Sequence, residues 1–379
     1  METDMRIHTV KGGEGAREIA REYEISEELL RAYNGLSGGE FAVGEELCVP
    51  CITRCFKMRR GDSLESLANR FSSSKKELLR INPQLSAKAE IGNIAALKIA
   101  ERPYGGAVCL GYIYGGCGEE ELSRALPYLT YAVICAGIRS ERGVGLGFST
   151  EGIKRKLCEC GVPYLLRFHD RSDGRAKMKP DDIVSLLESE GAVGAVIPCE
   201  GGIGESVAGL LPELSTTLKE KGMLLISEVD EKSPEEIYKS TEASIFSCDA
   251  LESDKTATSI LDFSAKRGTG LGFIELPCLA EVGEEFTSVC EVLELARRRG
   301  IEIKSSPDGM VFSFLYRGRE VRLPSLKNVK SHLDLVKEAG LSGVCFDVMR
   351  TPISTLMTYT SLFNTRGALP RENGGCIRE

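Results

Sequence analysis

Apolar positions in the first hundred residues recur at helical spacing in two short bursts, and the second burst repeats the first. Residues 10–34 align with residues 58–82 at a constant offset of 48, pairing Gly13 with Gly61, Glu14 with Asp62, Ile19 with Leu67, Tyr23 with Phe71 and Asn34 with Asn82. Each copy opens on a short strand (7–10; 56–58) and turns at a glycine followed by an acid. It then enters a helix whose apolar face is Ile19, Ala20 and Tyr23 in the first copy, and Leu64, Leu67, Ala68 and Phe71 in the second. A second helix starts at Ser26 or near Ser74, where serine ahead of Glu or Lys predicts an N-cap, and stops at Asn34-Gly35 or Asn82-Pro83. A closing strand (46–50; 96–99) completes a βααβ order in about 45 residues.

Beyond the Pro/Gly-rich segment Pro103-Tyr104-Gly105-Gly106 the texture changes to apolar runs alternating with amphipathic stretches. Strands are predicted at 107–112, 131–136, 164–168, 192–198, 223–227, 243–247, 270–274 and 343–348. Helices fit between them, for example at 151–160, 180–190, 207–221, 234–239 and 326–339. Eight βα-like units predict a (β/α)8 TIM-like barrel in an α/β protein, with an open doubly wound sheet as the alternative. The domains expected are 5–50, 54–100 and 105–366, followed by a polar, disordered tail at 367–379.

Composition narrows the function. A net charge of -8 argues against nucleic acid as the partner, because phosphate binding runs on clustered Lys and Arg. No uncharged apolar run reaches the ~18 residues of a membrane span. The first residues, Met1-Glu2-Thr3-Asp4-Met5-Arg6, show no basic segment leading into an apolar one, so the expectation is synthesis in the cytoplasm without a signal peptide. The 14 cysteines are scattered; Cys48, Cys51 and Cys55, without an obvious fourth ligand, make a poor zinc site. No metal or cofactor is implied. His8, His169 and His332 are dispersed and read as structural or surface residues, with His169, at a strand end, the one to watch. Arg297-Arg298-Arg299 reads as an exposed helix C-terminus favoured by the dipole.

The repeat resembles the LysM family. Gly61-Asp62-Ser63-Leu64, Leu67-Ala68, Phe71, Glu77-Leu78-Leu79 and Asn82 match that family's pattern almost completely, whereas the first copy departs at Gly15 and Ala16, which predicts a looser first turn. The resemblance implies binding of N-acetylglucosamine glycan, such as peptidoglycan or chitin, between the strand–helix turn and the loop after the second helix. The residues so implicated are Gly13, Glu14, Gly15, Asn34 and Gly35 in the first copy, and Gly61, Asp62, Ser63, Leu64, Asn82 and Pro83 in the second. Each is also an ordinary turn residue, so a purely structural role is the alternative.

The order of units after residue 105 resembles the family-18 glycoside hydrolases, especially the LysM-bearing N-acetylglucosaminidases of endospore formers. The resemblance rests on Gly111-Tyr112, on 126–131 and on 331–344. That family carries D-x-x-D-x-D-x-E after its fourth strand, with Glu as general acid and the substrate's own acetamido oxygen as nucleophile. Here Glu200 falls on the acid, while the three aspartate positions are Val193, Val196 and Pro198. The sixth-strand motif keeps Asp249 but has Cys248 for its tyrosine; Asp347 stands where a floor-forming Trp is usual, and the chain has no Trp. Glu200, Asp249 and Asp347 are therefore the candidate catalytic set. The reading is a glycan-binding protein whose barrel has weak or lost hydrolysis; the alternative is an active N-acetylglucosaminidase. The resemblance further implies deposition in the spore coat or cortex, with spore-coat proteins as partners.

Overall fold

The structure of the chain, a computed structural model, describes residues 5–85, 92–100, 104–140, 143–170, 179–199, 205–247, 251, 253–268 and 271–365. Both copies of the repeat close on a two-stranded antiparallel sheet. In the first, Arg6–Thr9 pairs with Glu46–Val49 around helices Ala16–Glu22 and Glu27–Tyr33. In the second, Ile52–Lys57 pairs with Ile94–Ile99 around helices Leu64–Arg70 and Lys75–Arg80. The serines act as read: Ser26 Oγ accepts from Leu29 N, Ser74 Oγ from Glu77 N, and Ser63 and Ser66 form a reciprocal capping box. The strand expected at 56–58 instead runs Ile52–Lys57. Four of its six residues are exposed, so no apolar alternation marked it.

Eight parallel strands follow: β1 (Gly106–Ile113), β2 (Tyr131–Ser140), β3 (Tyr164–Asp170), β4 (Gly194–Pro198), β5 (Leu224–Val229), β6 (Ala243–Phe246), β7 (Leu271–Glu275) and β8 (Gly343–Asp347). They pair in chain order, and β1 pairs with both β2 and β8, so the sheet closes into a barrel. Val108, Leu110, Val133, Leu165, Val196, Ile226, Ile245 and Phe273 fill its interior.

Two elements were not legible. Between β7 and β8 stands a five-stranded antiparallel sheet (Leu279–Val282, Glu285–Ser288, Lys304–Ser305, Val311–Tyr316, Arg319–Pro324) with helix Val289–Arg299 packed on it. Its inward residues, Phe312 and Phe314 facing Val321 and Leu323, do alternate, but over runs too short to separate from loop. The other is helix Ile353–Leu362, all ten of whose residues are buried, so it has no polar face to give it a period.

That helix is where the repeat meets the barrel. Beside it Tyr128 Oη donates to the Arg80 carbonyl at 3.1 Å and Lys76 Nζ to the Leu129 carbonyl at 2.7 Å, while Tyr33 Oη ties the two modules together through the Ile81 carbonyl at 3.2 Å. The inserted sheet grips the first copy. Arg297, expected to be exposed, is 12% exposed; its Nε lies 3.1 Å from the carboxylate of the buried Glu45, and its Nη2 donates to the Asn34 carbonyl at 2.8 Å. Burying a guanidinium requires such partners, and the helix dipole alone could not hold it there. Lys327 Nζ pairs with Glu46 at 3.2 Å, and Ile303 N donates to the Val43 carbonyl at 2.8 Å.

At this seam Gly44 has φ +83°, and a Cβ there would come within 1.9 Å of the Ile303 carbonyl oxygen. Gly44→Ala is expected to cost about 2 kcal/mol or more, read as a lowered denaturation midpoint with earlier proteolytic release of the first copy. A second prediction concerns acid. His332 is buried with Nδ1 2.9 Å from the Asn328 carbonyl, and burial pushes its pKa down. The folded chain thus binds this proton less well than the unfolded one, so the stability is whole above the unfolded value of ~6.5 and falls as pH drops through it, by up to about 1.4 kcal/mol per pH unit. Urea midpoints between pH 7 and 5.5 should fall less steeply in His332→Gln than in the parent.

Candidate functional site

The strand–helix turns of the two copies are built alike. Gly13 and Gly61 have φ +86° and +88°, which lets Glu14 N and Asp62 N close back on the Lys11 and Arg59 carbonyls at 3.1 Å. The two acids then secure the turns from their side chains, Glu14 Oε2 accepting from Lys11 N at 2.8 Å and Asp62 Oδ2 from Arg59 N at 2.7 Å. The expected looseness at Gly15-Ala16 is compensated from outside the repeat pattern, because Glu40 Oε2 accepts from Ala16 N at 3.1 Å.

Asn34 and Asn82 are buried and identically committed. Each donates to the carbonyl four residues back (Leu30; Leu78) and to the closing strand (Cys48; Ala96), and accepts the amide of that same strand residue at 2.7 Å. Leu64 points into its module's core, Ser63 caps its helix, Pro83 opens a short 3-10 turn, and Gly35 has φ +64°. The polar side chains picked out from the sequence thus hold the turns together. Glycine backbone is what these turns turn outward: a Cβ on Gly12, Gly13 or Gly61 would meet nothing within 4 Å.

Of the candidate catalytic set, Glu200 and Asp249 lie outside the described residues. Asp347 is 3% exposed, and its Oδ1 accepts from Met349 N at 2.8 Å and Arg350 N at 3.0 Å, fastening the turn after β8. Burial raises its pKa, and these backbone amides work the other way. The dominant feature of the mouth was not anticipated. Arg167 on β3 grips Glu228 on β5, Nε lying 2.7 and 2.8 Å from the two carboxylate oxygens and Nη2 2.6 Å from Oε2, with Glu228 only 2% exposed. Burial disfavours the Arg167 charge, but Glu228 outweighs it and holds the guanidinium above the usual arginine range.

Arg167 is level with Val196 and Glu228 with Pro198, so this pair passes across the inner face of β4, which carries no acid of its own. Arg167 Nη1 also lies 2.9 Å from His169 Nδ1 and 2.8 Å from its Nε2. Tyr112 lies beneath the Arg167 guanidinium at 6.0 Å, Tyr114 is capped by Arg350 at 5.7 Å, and Ser247 Oγ donates to Glu275 at 3.1 Å. Burial first, then the charges of Glu275 and Glu228, pushes the Cys345 thiol up. The clue in the sequence is an inward charge in each of two apolar strands: by alternation Arg167 follows Leu165, and Glu228 follows Ile226, into the barrel, and an inward charge requires a partner.

Removing one partner should expose this dependence. Arg167→Met, which strands Glu228 in the interior, is expected to lose about 3–5 kcal/mol, and Arg167→Met/Glu228→Leu to recover much of it, measured as a double-mutant cycle in urea.

Residues 8–50 and 57–91 match the LysM domain family. Among curated proteins no match to the sequence was found. Among solved structures, the spore cortex-lytic enzyme SleL of Bacillus megaterium QM B1551 superposes with a TM-score of 0.73 at 14% identity, covering 97% of this chain and 100% of that one. SleL of Bacillus cereus gives 0.71 at 14% identity over the same shares. A chitinase from Chromobacterium violaceum ATCC 12472 gives 0.58 at 13% identity, covering 68% of this chain and 99% of that one. At such identities the likeness is one of fold. The chain therefore carries two LysM domains followed by a (β/α)8 barrel with the fold of the spore cortex-lytic enzymes and chitinases.

Proposed function

We propose that this chain binds N-acetylglucosamine glycan, in particular peptidoglycan, and that its barrel hydrolyses that glycan weakly or not at all. The LysM pair supports the first half: two turns that present glycine backbone suit an acetamido group, which needs close amide and carbonyl approach rather than charge. Two modules on one chain raise avidity even when each binds weakly.

The Arg167–Glu228 pair carries the second half. Substrate-assisted hydrolysis needs an acid to protonate the leaving oxygen and a neighbouring carboxylate to hold the acetamido group. Pro198 has no carboxylate to offer, and the inward space before β4 is taken by an ion pair whose carboxylate is already committed to a guanidinium. A spore setting is supported by the likeness in fold to the SleL enzymes, which are named spore cortex-lytic enzymes. Exposed Cys55, Cys158 and Cys160 would suit later cross-linking to coat proteins.

The test is to incubate the full chain and Glu200→Gln with cortex muropeptides and chitohexaose, and to measure both products and co-sedimentation with peptidoglycan. The expected result is co-sedimentation by both proteins and no product from either. Product that falls about 10²–10⁴-fold in Glu200→Gln would instead assign an active glycosidase with Glu200 as general acid. Loss of co-sedimentation in the parent would overturn the binding reading.

A further inference from the structure

The two LysM modules hold the same turn with different chemistry. In module 2 the turn acid, Asp62, pairs with Arg70 at 3.0 Å, and the adjoining aromatic contact is Phe56 against Phe71, with ring centroids 5.4 Å apart. Arg54, Arg59 and Arg70 lie over those rings. Every cation there is permanent. In module 1 the position of Phe56 is His8 and that of Phe71 is Tyr23. His8 is 5% exposed; its Nε2 lies 3.1 Å from Glu14 Oε2 and its Nδ1 3.1 Å from Tyr23 Oη, and the two rings meet edge to face. Glu14 Oε2 is the same atom that accepts the Lys11 amide and so closes the turn.

We infer that His8 is a positioning residue of the module 1 turn, so that module 1 holds glycan more tightly as pH falls while module 2 is indifferent. The inference rests on the reading that these turns bind N-acetylglucosamine glycan. The neutral ring is satisfied in one tautomer, with Nε2–H donating to Glu14 and Nδ1 accepting from Tyr23. Protonation keeps the donor on Glu14 and makes that bond charge-assisted, while the tyrosine hydroxyl turns to accept from Nδ1. Histidine is the side chain that changes charge between pH 5 and 8. Glu14 stays ionised throughout, because the Lys11 amide, with His8 adding to it, holds its carboxyl below the usual range. The other charges facing this cluster are Arg6 over the Tyr23 ring, Lys11 Nζ 3.7 Å from Glu14, and Glu22, which acts on Tyr23. A firmer turn leaves less ordering for the ligand to impose.

The full chain, labelled with nitrogen-15, would be titrated from pH 8 to 5 while the Lys11 and Arg59 amides are followed. In parallel, chitopentaose affinity would be measured at pH 7.5 and 5.5 for the parent and for His8→Phe/Tyr23→Phe, which copies the module 2 pair. Expected are a one-proton titration at the Lys11 amide with Arg59 unmoved, and binding about fivefold tighter at pH 5.5 in the parent, with a ratio near one in the variant. A Lys11 amide that does not titrate, or an unchanged ratio in the variant, overturns the inference. If chitopentaose binds neither protein, the glycan reading falls, and the Lys11 titration still decides whether His8 governs the turn.

Discussion

Helix Ile353–Leu362 holds the molecule together because it has no solvent face. The barrel meets it through Tyr359 Oη to the Ala107 carbonyl, and the repeat through Arg80 over the Tyr359 ring. A helix buried all round cannot be stable until everything that covers it is in place. The LysM modules are consequently a wall of the barrel domain rather than beads on a flexible linker.

Two buried ion pairs fix what that wall and the barrel can do. Arg297 with Glu45 locks the loop after the second helix of module 1 to the inserted sheet, and it reaches the carbonyl of Asn34. Arg167 with Glu228 spans the barrel mouth in front of β4. Both join segments far apart in the chain, and in each case desolvation of the charges is offset only by close, multiply bonded geometry. The first fixes that loop of module 1 in place. The second puts a charge-neutral, multiply bonded pair into the inward space before β4.

The repeat shows how far a shared pattern reaches. Gly13 and Gly61, Glu14 and Asp62, and Asn34 and Asn82 occupy the same positions and make the same bonds. The differences lie one layer behind them, where His8 and Tyr23 stand in one module and two phenylalanines in the other. Both pairs satisfy the same packing requirement, so the pattern of apolar and aromatic positions does not distinguish a polar triad from a dry contact.

What the sequence determined by itself is what local chemistry determines. The serine caps, the positive-φ glycines, the βααβ order and the eight apolar strands follow from propensities and periods that act over a few residues. That Val193, Val196 and Pro198 carry no acid is equally plain from the letters alone. Tertiary structure decided the rest, because the quantities concerned are long-range. Helix Ile353–Leu362 is invisible to periodicity since burial on all sides erases it, and the short strands of the inserted sheet become strands only by pairing. Arg297 is drawn out of solvent by Glu45, more than two hundred residues away in the chain. The partner of Arg167 is set by barrel closure, which brings β3 and β5 to face one another across β4.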